Sequence, residues 1–152
     1  MGLFDKLFSA PSQPTAYVPS NEMEAWLGIM HSCMAADGDV SEAEISRMAN
    51  LIVYKQQFKL QDFKTQYSAV LNMHKRVGGK AMIDACAPHV SADYRETLLA
   101  IVCELILADG VIDKEEKELA EYITEKLGIS AENAMKIVEV MLIKNKGNKV
   151  LK

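Results

Sequence analysis

Four carboxylates recur as a set. Asp37 is followed by Gly38, Val40, Ser41 and Glu44, and Asp109 by Gly110, Ile112, Asp113 and Glu116. One offset, 109 − 37 = 72 residues, relates every matching pair. Carboxylates gathered from two copies could hold a divalent cation, so Asp37, Glu44, Asp109 and Glu116 are the candidate metal ligands. An EF-hand is excluded. Counting Asp37 as position 1, the glycine falls at position 2 instead of 6, and position 12 is Met48, or Ala120 in the second copy, where a bidentate Glu is required. Ligands for a bound ion would therefore have to come from both copies together.

The same residues also have a structural reading. Gly38 and Gly110 stand where a helix ends and can take positive φ without steric cost. Val40 and Ile112 are placed to staple the next helix. Ser41 with Glu44, and Asp113 with Glu116, have the spacing of a capping box. Asp37 and Asp109 are different, because an acid in the last turn faces the negative end of the helix dipole. Either each folds over to accept amides of the turn or of the next helix, or each meets a cation.

The elements that position these turns follow from apolar periodicity. A first helix over about 21–36 carries the stripe Trp26, Ile29, Met30, Cys33, Met34. A second begins at the cap Ser41 and continues to about residue 56, burying Ile45, Met48, Ala49, Ile52 and Val53. A third covers 61–77 until Gly78-Gly79 breaks it, and a short helix then ends at Pro88. The fifth, 91–108, is expected to be the most buried, through Leu98, Ile101, Val102, Leu105 and Ile106. A sixth runs from Asp113 to Gly128, and a seventh, capped by Ser130, packs through Ala134, Ile137, Val138, Met141 and Leu142. The 72-residue offset carries the stripe of the first helix onto Leu98, Ile101, Val102, Leu105 and Ile106 of the fifth. A whole helix repeats in register with its turn and the following cap. The fold class is all-α, a single bundle of about seven helices in two pseudo-symmetric halves.

Three segments follow: an amphipathic opening of residues 1–8 with a Pro-containing linker to residue 20, a helical domain over 21–145, and a basic tail over 146–152. The opening places Leu3, Phe4, Leu7 and Phe8 on one side, while Pro11, Pro14 and Pro19 keep the linker from being helical throughout. The tail after Asn145 reads as frayed. With 152 residues, 49% hydrophobic and 25% charged, the chain suits one domain with a packed core. Its net charge is −4, and no basic stripe is interleaved with aromatics, which argues against nucleic acid as a partner.

Cys33, Cys86 and Cys103 lack CxxC spacing and read as small hydrophobes in a reducing compartment. Residues 1–8 lack the apolar core and cleavage site of a secretory signal, so a cytoplasmic location is expected. No nucleophile–base arrangement can be read from the chain, and no small-molecule substrate is implied. His31, six residues before Asp37, reads as a partly buried histidine with a ligand role as the sharper alternative; His74 and His89 read as cap or surface residues.

The segments Ala36-Asp37-Gly38-Asp39-Val40-Ser41-Glu42-Ala43-Glu44 and Ala108-Asp109-Gly110-Val111-Ile112-Asp113-Lys114-Glu115-Glu116 resemble the TerB family of bacterial tellurite-resistance proteins. The resemblance covers roughly 21–130 and includes the short start at residues 1–8; the third and fourth helices match loosely. It implies a helical bundle of two related halves and a non-enzymatic, cytoplasmic role in resistance to tellurite, phage and other stress. It also implies an ion-binding patch at Asp37, Glu44, Asp109 and Glu116, and membrane-bound or calcium-binding protein partners. A related domain precedes the J-domain of some membrane-tethered co-chaperones. The expected function is thus a stress-response module binding a divalent cation and a protein partner. The alternative is an interaction adaptor whose Asp-Gly turns are purely structural, and a hydrolase using the four carboxylates ranks last.

Overall fold

The structure, a computed structural model, describes residues 17–108 and 112–148. Among these are seven α-helices and no strand: α1 Glu22–Met34, α2 Glu42–Ile52, α3 Phe63–Val77, α4 Gly79–Cys86, α5 Arg95–Ile106, α6 Lys114–Lys126 and α7 Ala131–Lys144. Short 3₁₀ turns at Ala35–Asp37, Gln56–Phe58, Ala87–His89 and Ala92–Tyr94 extend or join them. The expected helices are present, with bounds that differ by up to four residues; α1 and α4 pass directly into 3₁₀ turns at their carboxyl ends, and a 3₁₀ turn precedes α5. The amphipathic opening, residues 9–16 of the linker, Asp109 to Val111 and the end of the basic tail lie outside the described residues.

Polar side chains set the starts. Asn21, Ser41, Asp62, Asp113 and Ser130 each accept a backbone amide from the first turn of the helix that follows. Gly128, at φ +71°, closes α6: its amide and that of Ile129 donate to the Glu125 and Thr124 carbonyls, the Schellman pattern the sequence suggests.

Two three-helix units are related as the repeat implies. In the first, α1 packs on α2 and α3; in the second, α5 packs on α6 and α7. They cross over, since α1 also lies on α6 and α5 on α2, while α1 and α5 meet directly. The α4 helix is inserted between the units and packs on α1, α3 and α6. This changes one expectation. The most buried helix is α1, not α5, for every residue from Met23 to Met34 is buried. Neighbours surround α1 on all sides, whereas Glu104 of α5 turns outward to Lys144 and Asn145.

The core centres on Trp26, fully buried, with Phe58 edge-on at 4.9 Å and Tyr94 at 6.1 Å. Glu22 joins the starts of α1 and α5: it accepts from the Trp26 indole at 3.0 Å, the Ser91 amide at 2.8 Å and the Ser91 hydroxyl at 2.6 Å. The α4 helix crosses α1 at Gly28, where a Cβ would lie 2.5 Å from the Cys86 Sγ. All three cysteines are buried, and no disulfide joins them.

Two ends of the domain are better ordered than expected. Pro19 is buried, and Tyr17 packs on the core with its hydroxyl donating to Glu24. Beyond α7 the chain turns over 145–147, and the last residues of the expected frayed tail lie outside the described residues. Asn145 is buried and its side-chain amide donates to Glu104 at 2.9 Å and to the Met141 carbonyl at 2.9 Å.

Candidate functional site

The two capping boxes form as their spacing predicts. Glu44 accepts the Ser41 amide through Oε1 at 2.9 Å, and the Glu44 amide donates to the Ser41 hydroxyl at 3.2 Å. In the second half, Glu116 Oε1 accepts from the Asp113 amide at 3.3 Å, and Asp113 accepts from the Glu116 amide at 2.9 Å. One oxygen of each glutamate therefore serves its own helix. Gly38, at φ +135°, ends the 3₁₀ turn that contains Asp37, with its amide donating to the Ala35 carbonyl. The Asp37 side chain and all of Asp109 lie outside the described residues.

Crossed packing relates the two motifs. The 3₁₀ turn Ala35–Asp37 rests on α6, and the Cys33 thiol lies 3.8 Å from the Glu116 carbonyl at the start of that helix. The chain leaves α5 at Ile106 and enters α6 at Lys114, so a short connection joins the carboxyl end of α5 to the start of the helix on which the turn after α1 rests. Reciprocally, α2 rests on α5. Each Asp-Gly turn thus follows a helix that packs on the other half's capped helix. Among the described residues, no group of three or more His, Cys, Asp or Glu side chains is arranged to hold a metal ion. Glu44 and Glu116 do not make an ion site by themselves, so any such site needs Asp37 and Asp109 as well.

A family profile described as "Tellurite resistance protein TerB" matches residues 23–138. The chain belongs to the TerB family. The TerB profile thus spans from the start of α1 into α7 and includes α3 and α4, which resemble the family only loosely by sequence. No curated protein matches this TerB chain. Among solved structures, a crystal structure of a protein of unknown function from Porphyromonas gingivalis W83 is similar. It is 19% identical with a TM-score of 0.51, over 85% of this chain and 95% of that one, a likeness of fold alone.

Beside the acidic turns of this TerB domain lies a cluster that sequence reading treats as separate residues. His31 is 4% exposed, with its Nδ1 2.8 Å from the Tyr67 hydroxyl and its ring edge-on to His74 at 4.7 Å. Burial, then the neighbouring His74, pushes His31 down to about 4, and burial lowers His74 also. Tyr67 is raised to about 12 by burial and by the charge of Glu44. His74 is accordingly an interior contact, not a cap or surface residue. The signal lay in helical phase, since His74 sits one helical heptad beyond Tyr67. His89 is exposed as expected.

Among the described residues, no helix is long and apolar enough to cross a membrane.

Proposed function

We propose that this TerB domain is a non-catalytic, cytoplasmic module of bacterial tellurite resistance or stress response. It binds one divalent cation through Asp37, Glu44, Asp109 and Glu116, and presents the resulting face to a protein partner, one that is itself membrane-associated. The observation that carries the reading is the crossed packing, in which the turn bearing Asp37 rests on the helix that Asp113 and Glu116 cap. Carboxylates collected from both halves repel one another, and a cation that relieves the repulsion stabilises the folded state through its binding. The expected result is a melting temperature that rises with Ca²⁺, Mg²⁺ or Zn²⁺ and falls on chelation. Replacing both Asp37 and Asp109 by Asn removes that response. Identical melting with each cation and with chelator contradicts it.

A second reading has its own support. Both glutamates accept their cap amides, as an interaction adaptor with purely structural turns requires. In that case the double Asn variant loses little stability and cations change nothing in either form.

A further inference from the structure

Between α5, α6 and α7 lies an apolar groove of about 630 Å³, lined among others by Leu99, Cys103, Thr124, Ala131, Val138 and Leu142. Its counterpart in the first half is a smaller cleft of about 440 Å³, lined by Ile45, Ala49 and the rings of Phe63 and Tyr67. Aligning the caps Asp62 and Ser130, 130 − 62 = 68 residues apart, places Phe63 and Tyr67 of α3 on Ala131 and Met135 of α7. The same offset places His74 on Leu142, and the 72-residue offset places His31 on Cys103. In the first half Phe63 and Tyr67 stack at 5.6 Å and 11°, and Tyr67 meets His31 edge-on at 5.4 Å. The second half has Ala131 and Met135 where those two rings stand. Met135 is 60% exposed and Leu142 51%.

The chain holds four phenylalanines. Phe58 and Phe63 pack in the first half; the other two, Phe4 and Phe8, are four residues apart, the same spacing as Phe63 and Tyr67, with Leu3 and Leu7 beside them. We propose that the groove seats this chain's own residues 1–8 as an amphipathic turn, with Phe4 and Phe8 entering where the second half lacks its ring pair. Eight residues lie between Phe8 and Tyr17, nine chain steps with a reach of up to about 30 Å. Tyr17 is held by Glu24 on α1, whose first residue, Glu22, is bonded to Ser91 at the entrance to α5. At that corner Arg95 donates to the Leu127 carbonyl at 2.8 Å, so the α6–α7 connection and the Ala131 end of the groove adjoin it. Charges on the rim suit the segment, for Lys117 and Glu121 line the groove and the segment carries Asp5 and Lys6. Tethering makes the docking intramolecular, and a modest apolar contact then suffices to populate it.

The test uses two full-length variants: F4S/F8S, which alters only the segment, and A131F/M135Y, which narrows the groove with the ring pair that lines the first half's smaller cleft. Methyl resonances of Leu99, Val138 and Leu142 are expected to shift in F4S/F8S while those of Ile45 and Val70 stay in place. The wild-type positions should not depend on protein concentration. In A131F/M135Y, trypsin cleavage after Lys6 is expected to accelerate by about tenfold or more, as cleavage follows the population of the open segment. Unmoved groove methyls in F4S/F8S would overturn the proposal. So would wild-type positions that change with concentration, which would put a second copy in the groove. A segment protected only on adding anionic lipid vesicles, with the groove methyls unchanged, would assign it to a membrane surface instead.

Discussion

His31 is neutral in the folded domain because burial removes its charge from water and His74 faces it across 4.7 Å. Its folded pKa, about 4, lies below the ordinary value of 6.5. Between those values the unfolded chain binds more protons, so stability is fully present above pH 6.5 and is lost as pH falls toward 4. The loss is on the order of 2 to 3 kcal/mol, at about 1.4 kcal/mol per unit. His31→Gln can keep the hydrogen bond to Tyr67 and does not titrate. Melting curves from pH 7 to pH 4 should therefore fall more gently in the variant than in the wild type. Equal slopes would mean that His31 is solvated or already charged in the folded state. The histidine was visible in the sequence as a residue flanking the α1 stripe; its burial was not. Tyr67 and His74 lie 36 and 43 residues farther on, and no local pattern brings them to it.

The helices themselves were legible because caps and stripes agree. Asn21, Ser41, Asp113 and Ser130 mark starts, Gly128 marks a stop, and between them the apolar residues keep helical spacing. Burial rank was less legible. The stripe of Leu98, Ile101, Val102, Leu105 and Ile106 suggests that α5 is the central helix, whereas Gly28 lets α4 close over the remaining side of α1. Gly28 supplies an element-scale prediction. Gly28→Ala places a methyl against the Cys86 Sγ and the tip of Met82, and the overpacking should cost about 1 to 3 kcal/mol. Cys86→Ala in the same chain removes the sulfur and should recover most of the loss, giving a coupling that denaturant unfolding of the four proteins can read. Additive losses would show that α4 does not approach α1 so closely. The turn after α7 was hidden for a related reason. Asn145 looks like a helix-ending residue, and only the arrival of Glu104 from α5 gives it a buried partner.

At the scale of the whole molecule, duplication is the organising fact. The 72-residue offset, read from sequence, becomes two crossed three-helix units in which each half's acidic turn belongs to a helix resting on the other half's capped helix. The offset also shows where the halves diverge: a smaller cleft lined by the rings of Phe63 and Tyr67 in the first, a larger groove with Ala131 and Met135 in their place in the second. Of the candidate site, the capping roles of Glu44 and Glu116 were legible, because capping boxes are local. The relation between the turns was not, since it depends on how α1 and α5 pack. The central claim is one cation shared by both halves, and stoichiometry tests it most directly. Isothermal titration of Ca²⁺, Mg²⁺ and Zn²⁺ into metal-free protein should give about one ion per chain for the cation that binds, with ligands drawn from both repeats. Asp37→Asn alone and Asp109→Asn alone should each abolish that binding. Two ions per chain, with each variant removing one, or no binding of any of the three cations, would contradict the claim.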